Sequence, residues 1–199
     1  MGLALMGIAE ALSLKGRVNL LGVLGAALLF YVALSGGPWW IVVGGTAGFP
    51  AFSVALSPFT CSIDVLGRPL TIPIVPYLLL AAKLSVLLAA ASTLAGSLLL
   101  SRSWSRPLMS TKGFTVPFLF VLMLFLGLQA AQAFGLALPL HGSSTLSYPF
   151  FFGGFNVALA VPVHAELTGE YWLALAAGAV TLAAKLVHGR LRGAAGSRP

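Results

Sequence analysis

Charged residues and cysteine are scarce in this chain of 199 residues. Asp, Glu, Lys and Arg together make up 8% of it, whereas an ordinary soluble domain has roughly 25%. So little charge excludes a water-soluble globule, and no stretch is polar enough to fold in water as a separate domain. The single cysteine, Cys61, excludes an intramolecular disulfide and the clustered cysteines of zinc and iron–sulfur sites.

The familiar catalytic signatures are missing as well. The sequence has no Gly-x-Ser-x-Gly, no phosphate-binding loop, no Gly-x-Gly-x-x-Gly after a strand and no His-Glu-x-x-His. Hydrolytic and ATP-driven activities therefore have no support, and we expect a protein that is not an enzyme. No motif indicates a cofactor or a known family.

Hydrophobic residues, by contrast, make up 59% of the chain. A helix needs about 20 mostly apolar residues to cross a hydrocarbon core of about 30 Å. Four stretches approach or meet this length, namely residues 18–35, 76–100, 115–138 and 171–187. The sequence predicts an all-α integral membrane protein, a single four-span helical bundle. Residues 1–17 would form a cytoplasmic leader, a short helix at the interface rather than a cleaved signal, and residues 188–199 a cytoplasmic tail.

The basic residues predict the orientation of these spans. Basic residues in short loops stay on the cytoplasmic side, and nine of them fall before span one, between spans two and three, or at the end of span four. These nine are Lys15, Arg17, Arg102, Arg106, Lys112, Lys185, Arg190, Arg192 and Arg198. We therefore predict a multi-pass protein of the cell membrane with both termini in the cytoplasm. The formal net charge of +7 then reflects topology, and we expect the lipid bilayer and a second copy or another membrane protein as partners, not nucleic acid.

A five-span alternative counts residues 41–57 as a further helix. It would move Arg102, Arg106 and Lys112 to the outside, against the charge rule. Gly44 and Gly45 also make this stretch a poor helix.

The two outside connections, residues 36–75 and 139–170, are long and apolar, although exposed loops are normally short and polar. Irregular backbone is tolerated in a membrane only against protein or a cavity. The simpler interpretation is a pair of interfacial or re-entrant loops that pack on the four spans. The alternative is that these loops line a functional pocket.

Lys83 is the most unusual residue of the predicted spans, because it falls about nine residues into span two, where an ammonium group is costly. Counting from the outside ends of the spans places Gln129 at a similar depth, with Gln132 one turn further. Asp64 could complete a substrate-binding group from an outside loop. The plainer alternative is that the Lys83 side chain extends to the interface along its apolar stem.

The outer side also collects residue types that bind metals. His141, His164 and Glu166 form the candidate metal set, with Asp64 as a fourth ligand, and His141 and His164 are the only pair on one side that could hold a haem. Their spacing matches no known motif, so ordinary loop histidines are the default. His188 is predicted to cap the last helix at its cytoplasmic end.

Three functional hypotheses follow. In the first, the chain binds or passes a small solute through an outward-facing pocket near Lys83 and Gln129. In the second, it is the membrane anchor of a larger redox or assembly complex and docks a partner or quinone through its aromatic loops. The third is a metal-dependent enzyme built on the histidines of the outer face.

Overall fold

The computed structural model describes residues 13–14, 18–46, 48–99, 102, 104–109, 111–152 and 155–196. Its helices are α1 (Leu20–Ser35), α2 (Val75–Leu98), α3 (Ser105–Leu108), α4 (Lys112–Ala133) and α5 (Gly169–Gly196). Its strands are β1 (Ser13–Leu14), β2 (Val18–Asn19), β3 (Trp40–Thr46), β4 (Phe49–Leu56), β5 (Cys61–Val65), β6 (Arg68–Pro69), β7 (Gly142–Phe152) and β8 (Phe155–Leu167).

The fold is mixed α/β, and the all-α prediction is wrong. The two connections expected as apolar loops pair with each other in one antiparallel sheet with the strand order β6-β5-β4-β3-β8-β7. The alternation that marks a half-buried strand was hidden in β3, because both faces carry apolar side chains. Trp40 and Val42 are buried, while Ile41 and Val43, which alternate with them, are more exposed.

The five-span alternative is wrong for the same reason. Residues 41–57 form β3, a turn and β4, which pair from Trp40 opposite Leu56 to Thr46 opposite Phe49. The glycines that disfavoured a helix here have a role in the hairpin, since the register shifts between Gly44 and Gly45.

Among the described residues, three helices are long and apolar enough to cross a membrane: Val75–Leu98, Lys112–Ala133 and Gly169–His188. These correspond to the second, third and fourth predicted spans. The first predicted span is the 16-residue α1, about 24 Å long and therefore shorter than a hydrocarbon core of about 30 Å. Helix α5 continues to Gly196, beyond residue 188 where the cytoplasmic tail is predicted to begin, and the placement of that tail stays a prediction. Of the predicted leader helix, Ser13–Leu14 is a strand that pairs with β2, and residues 1–12 and 15–17 lie outside the described residues.

The described chain divides into two compact units. The first contains the described residues up to Ser35 together with residues 81–118 and those from Trp172 onward, and the second contains residues 36–80 and 119–171. Helices of the first unit approach closely at glycines, as helices in lipid commonly do. A Cβ atom built on Gly178 would lie 2.8 Å from Cα of Phe114, and one built on Gly25 would lie 2.7 Å from the Thr181 methyl group.

In the second unit the sheet packs one face on the C-terminal half of α4. Leu124 and Leu128 of the helix are buried against side chains from three strands, and Phe120 lies at the margin of the same cluster. The buried strand residues of this core are Trp40, Val42, Leu146, Val163 and Ala165. This face is called the inner face below. A helix predicted only as a membrane span therefore also supports a sheet.

An aromatic cluster lies beside this core. Trp39 is 1% exposed and makes edge contacts with Phe59 at 5.6 Å, Phe120 at 5.3 Å and Tyr171 at 6.1 Å between ring centroids. Edge-to-face geometry adds attraction beyond the burial of the rings. The cluster connects the segment before β3, the β4–β5 loop, α4 and the first turn of α5.

Candidate functional site: the outer face and open edge of the sheet

Alternation in β8 defines the second face of the sheet. Val163 and Ala165 are buried on the inner face, while Pro162, His164 and Glu166 between them are exposed. The same period of two holds in β7, where Leu146 is buried and its neighbours are not. Within residues 142–147 of this strand, the exposed side chains are those of Ser143, Thr145 and Ser147. We call the exposed side the outer face.

A row of paired residues crosses the outer face from β7 to β5. Ser143 is opposite His164, His164 is opposite Val43, Val43 is opposite Ser53, and Ser53 is opposite Asp64. Polar side chains thus surround Val43, which is 37% exposed.

The histidine of this row is held by a neighbouring hydroxyl. Ser143 Oγ lies 3.0 Å from His164 Nδ1 in a hydrogen bond whose donor depends on the histidine tautomer. An open depression of about 330 Å³ lies at this pair. It is lined by Val43, Gly45, Thr46, Pro50, Ser143, Pro162, Val163 and His164. The lining is mostly apolar and offers one imidazole and two hydroxyl groups for hydrogen bonding.

The two edges of the sheet differ. One edge is β6, which has only two residues, Arg68 and Pro69, a charge and a proline that both discourage pairing with another chain. The other is β7, with 11 residues, no charged residue and an unbroken register against β8. Among the strands that the structure describes, only β8 pairs with β7, so the other edge of β7 has no neighbouring strand. Within the described part of the chain, one sheet edge is thus protected and the other is open.

The predicted solute-binding residues are divided between the two units. Lys83 belongs to the first, and Asp64, Gln129 and Gln132 belong to the second. Gln129 and Gln132 are exposed, and Asp64 accepts a 3.4 Å hydrogen bond from the Ser62 hydroxyl. The grouping of these four residues stays a prediction.

The depth count that paired Lys83 with Gln129 assumed that the ends of spans two and three lie level. Within the first unit they do not, because Lys112 Nζ, on the first residue of α4, donates to Ser85 Oγ at 3.1 Å. Ser85 lies 13 residues before the C-terminal end of α2 at Leu98. Within this unit the start of α4 therefore lies beside the middle of α2.

The candidate metal ligands lie on or near the outer face. His164 and Glu166 are exposed residues of β8, and His141 is exposed just before β7. Within the described residues no group of three or more His, Cys, Asp or Glu side chains could hold a metal ion. The metal and haem hypotheses gain no support from this geometry.

Two buried polar side chains of the first unit, His188 and Asn19, make hydrogen bonds to residues distant in the sequence. His188 is not a helix cap, because it is fully buried within α5 and its Nε2 lies 2.9 Å from Ser105 Oγ. Asn19 caps α1 by accepting from the Gly22 amide at 3.1 Å, and its Nδ2 donates to the Ala184 carbonyl at 3.0 Å. An asparagine just before an apolar run is a sequence signal for such a cap.

Cys61 stands at the start of β5, opposite Leu56, and is partly buried. Burial raises the pKa of its thiol above the ordinary value, because the thiolate is poorly solvated there. A raised pKa keeps the thiol protonated at neutral pH and lowers its reactivity. Cys61 therefore has the character of a packing residue.

Comparison with known proteins supplies no relative for this arrangement. No protein-family description, no curated protein and no solved structure matches the chain.

Proposed function

We propose that the chain is a membrane-anchored docking protein, which presents the outer face of its sheet to a partner protein. It corresponds to the membrane-anchor hypothesis, with the sheet instead of the aromatic loops as the docking surface. The main supporting observation is that one face of the sheet is covered and the other face is exposed. Leu124 and Leu128 close the inner face, whereas the outer face exposes side chains of neighbouring strands, including Val43 and His164.

Chain connectivity supports the position of the sheet. Strands β3 to β6 precede α2, and strands β7 and β8 follow α4, yet all six belong to one sheet. If α2 and α4 both cross the membrane, the two segments return to the same side, as a shared sheet requires. The basic residues Arg102 and Arg106 between these helices favour the cytoplasmic side for that connection. The sheet is then outside and the C-terminus is cytoplasmic. The N-terminus is cytoplasmic as well if α1 also crosses.

The helices supply the anchor. Large apolar side chains are exposed along α2 and α4, and at Trp172 and Leu186 of α5, as a lipid-facing surface requires. On α2 alone, Leu84 is 50% exposed and Leu88 is 69% exposed. A soluble monomer rarely exposes so much contiguous apolar surface.

The docking proposal has more support than its two rivals. The solute hypothesis depends on a common depth for Lys83 and Gln129, which belong to different units, and it stays a prediction. The metal hypothesis depended on convergence of His141, His164 and Glu166, and the described residues offer no such group.

Site-specific photo-crosslinking tests the proposal. A photoreactive amino acid replaces Val43 on the outer face, or Leu84 on α2 as the matched control, in cells that naturally make the protein. We expect one discrete protein adduct at stoichiometric yield from position 43, and lipid adducts or none from position 84. The position 43 adduct should disappear in His164→Arg, which adds bulk and charge to the neighbouring strand.

The proposal fails if position 43 yields no protein adduct. It also fails if positions 43 and 84 yield the same adducts, or if His164→Arg leaves the adduct unchanged in a folded protein.

A further inference from the structure

The direction of the backbone groups on β7 can be worked out from one hydrogen bond. In an antiparallel pair, residues alternate between those that exchange backbone hydrogen bonds and those whose backbone groups point away. The Thr168 amide donates to the Trp39 carbonyl at 3.0 Å, so this carbonyl points toward β8. Four residues further along, Val43 repeats that direction, and it is paired with His164. The backbone groups of His164 therefore point toward β3 and away from β7.

The partner of His164 on β7 must then have its backbone groups on the open side. That partner is Ser143, and the same holds at every second residue, Thr145 and Ser147. Side chains approach most closely in pairs without mutual backbone hydrogen bonds. The 3.0 Å contact between Ser143 Oγ and His164 Nδ1 fits this assignment.

Two prolines agree with the same pattern. Pro149 is opposite Ala158, and Pro162 is opposite Thr145, so both belong to pairs of the same type as Ser143 and His164. Proline has no N–H to donate, and it is tolerated in a ladder only where that N–H would point outward. Pro162 would face β3, and pairing of β8 with β3 indeed stops at the preceding pair, Val163 opposite Gly44.

We infer that β7 accepts an extended segment of the partner protein as an additional strand, paired along Ser143, Thr145 and Ser147. This inference rests on the proposed docking function and specifies its contact. Each of the three residues offers an N–H and a C=O on a side that no described strand covers. Strand addition to an open edge is an established mode of peptide recognition, in which main-chain hydrogen bonds supply the affinity.

The chemistry of the edge describes the segment that fits it. All 11 residues of β7 are uncharged, and the three exposed side chains that accompany the outward backbone groups are hydroxyls. Charged side chains opposite them would lose solvation without gaining a partner. We therefore expect an uncharged segment of about five residues, because Pro149 lacks the N–H that would extend the pairing.

A second copy of this chain fits less well. Two copies related by a two-fold axis and joined at β7 would form one coplanar sheet, in which neither covers the outer face of the other. Pairing over about five residues at one edge buries far less than the roughly 1,000 Å² of a stable interface. A different protein can pair with the edge and also cover the outer face at Val43.

Proline substitutions distinguish the two sides of β7 and test the assignment without a partner. Thr145→Pro removes an N–H that points to the open edge, so the protein should fold with little change in melting temperature. Ser144→Pro removes an N–H that bonds to β8 without truncating a core side chain, and should lower the melting temperature sharply. If both variants unfold alike, the backbone assignment is wrong and the inference fails.

The folded Thr145→Pro variant then tests docking. With the photoreactive residue at position 43, its adduct yield should fall about tenfold, since the partner loses a backbone hydrogen bond and meets the proline ring. Thr145→Val retains the N–H and the branched shape, and its yield should stay within about twofold of the unchanged protein.

Each other outcome has a defined meaning. An adduct that Thr145→Pro leaves intact overturns the edge contact and leaves docking at the outer face standing. No adduct from position 43 in the unchanged protein overturns the docking function and this inference together. An adduct with the mass of a second copy of this chain overturns the choice of partner.

Discussion

Leucines on opposite sides of α4 should differ sharply in their effect on stability. Leu124 is 8% exposed and packs in the sheet core, whereas Leu126, two residues along the same helix, is 52% exposed. Truncation of a buried leucine to alanine costs about 2–5 kcal/mol, from lost transfer free energy and the cavity left behind. Truncation of an exposed leucine should cost less than about 0.5 kcal/mol. The two substitutions have the same composition and nearly the same position, so only the packing distinguishes them.

The assay is unfolding of the purified protein in detergent, followed by tryptophan fluorescence. Trp40 belongs to the same core as Leu124, so its emission reports on the sheet and its contact with the helix. Leu124→Ala should shift the unfolding equilibrium by about 30-fold or more, which corresponds to at least about 2 kcal/mol. Leu126→Ala should leave the transition nearly unchanged.

Equal destabilisation by the two variants would refute the reasoning. It would mean that this half of α4 does not present one face to the sheet, and the inner face would need another cover. A larger effect of Leu126→Ala would refute it in the same way.

Two further predictions concern the β3–β4 hairpin and the cysteine. Gly45 has a φ of 119°, and a Cβ atom added to it would lie 2.6 Å from the Ala51 amide nitrogen. Gly45→Ala should therefore lower the free energy of unfolding by at least about 1 kcal/mol in the same assay. Gly48→Ala, in open space, should change stability by less than about 0.5 kcal/mol, and equal effects would contradict the strain. Burial raises the pKa of the Cys61 thiol, so the rate of its alkylation should rise only at a higher pH than the rate measured for Ser62→Cys in a Cys61→Ser chain. Coincident pH profiles for the two chains would contradict this.

Sequence reasoning succeeded where the signal is local. A long apolar run is sufficient to indicate a spanning helix, and the predicted span 76–100 agrees closely with Val75–Leu98. The run at 171–187 was also found, although α5 extends beyond it at both ends. The burial of His188 depends on contact with Ser105, 83 residues away in the chain, which no local pattern reveals.

The sheet could not be predicted in this way, because its pairing is not local. Val43 and His164 are neighbours although 121 residues separate them along the chain, and two candidate spans lie between them. Apolar residues on both faces of β3 removed the alternation that would have indicated a strand. The same composition favoured re-entrant loops once the chain was assigned to a membrane.

The candidate site was predicted only in part. His164 was singled out as a metal ligand, and the structure instead pairs it with Ser143 on an exposed sheet face. Thr145 and Ser147 were overlooked, since small hydroxyl residues carry no motif and matter here for their backbone direction. An alternation of Ser and Thr with Leu146 was the one available signal.

A disulfide between β3 and β8 is the most direct test of the central claim, that two segments separated by two candidate spans form one sheet. In a Cys61→Ser chain, Val43→Cys and His164→Cys place cysteines on directly opposed residues about 5.5 Å apart between Cα atoms, within the range that a disulfide bridges. The control pair, Val43→Cys with Ala165→Cys, points to opposite faces. Oxidation of intact membranes and mass spectrometry should detect the 43–164 disulfide in most molecules and little of the 43–165 disulfide. Absence of the first, or equal yields of both, would contradict the sheet on which the docking proposal stands.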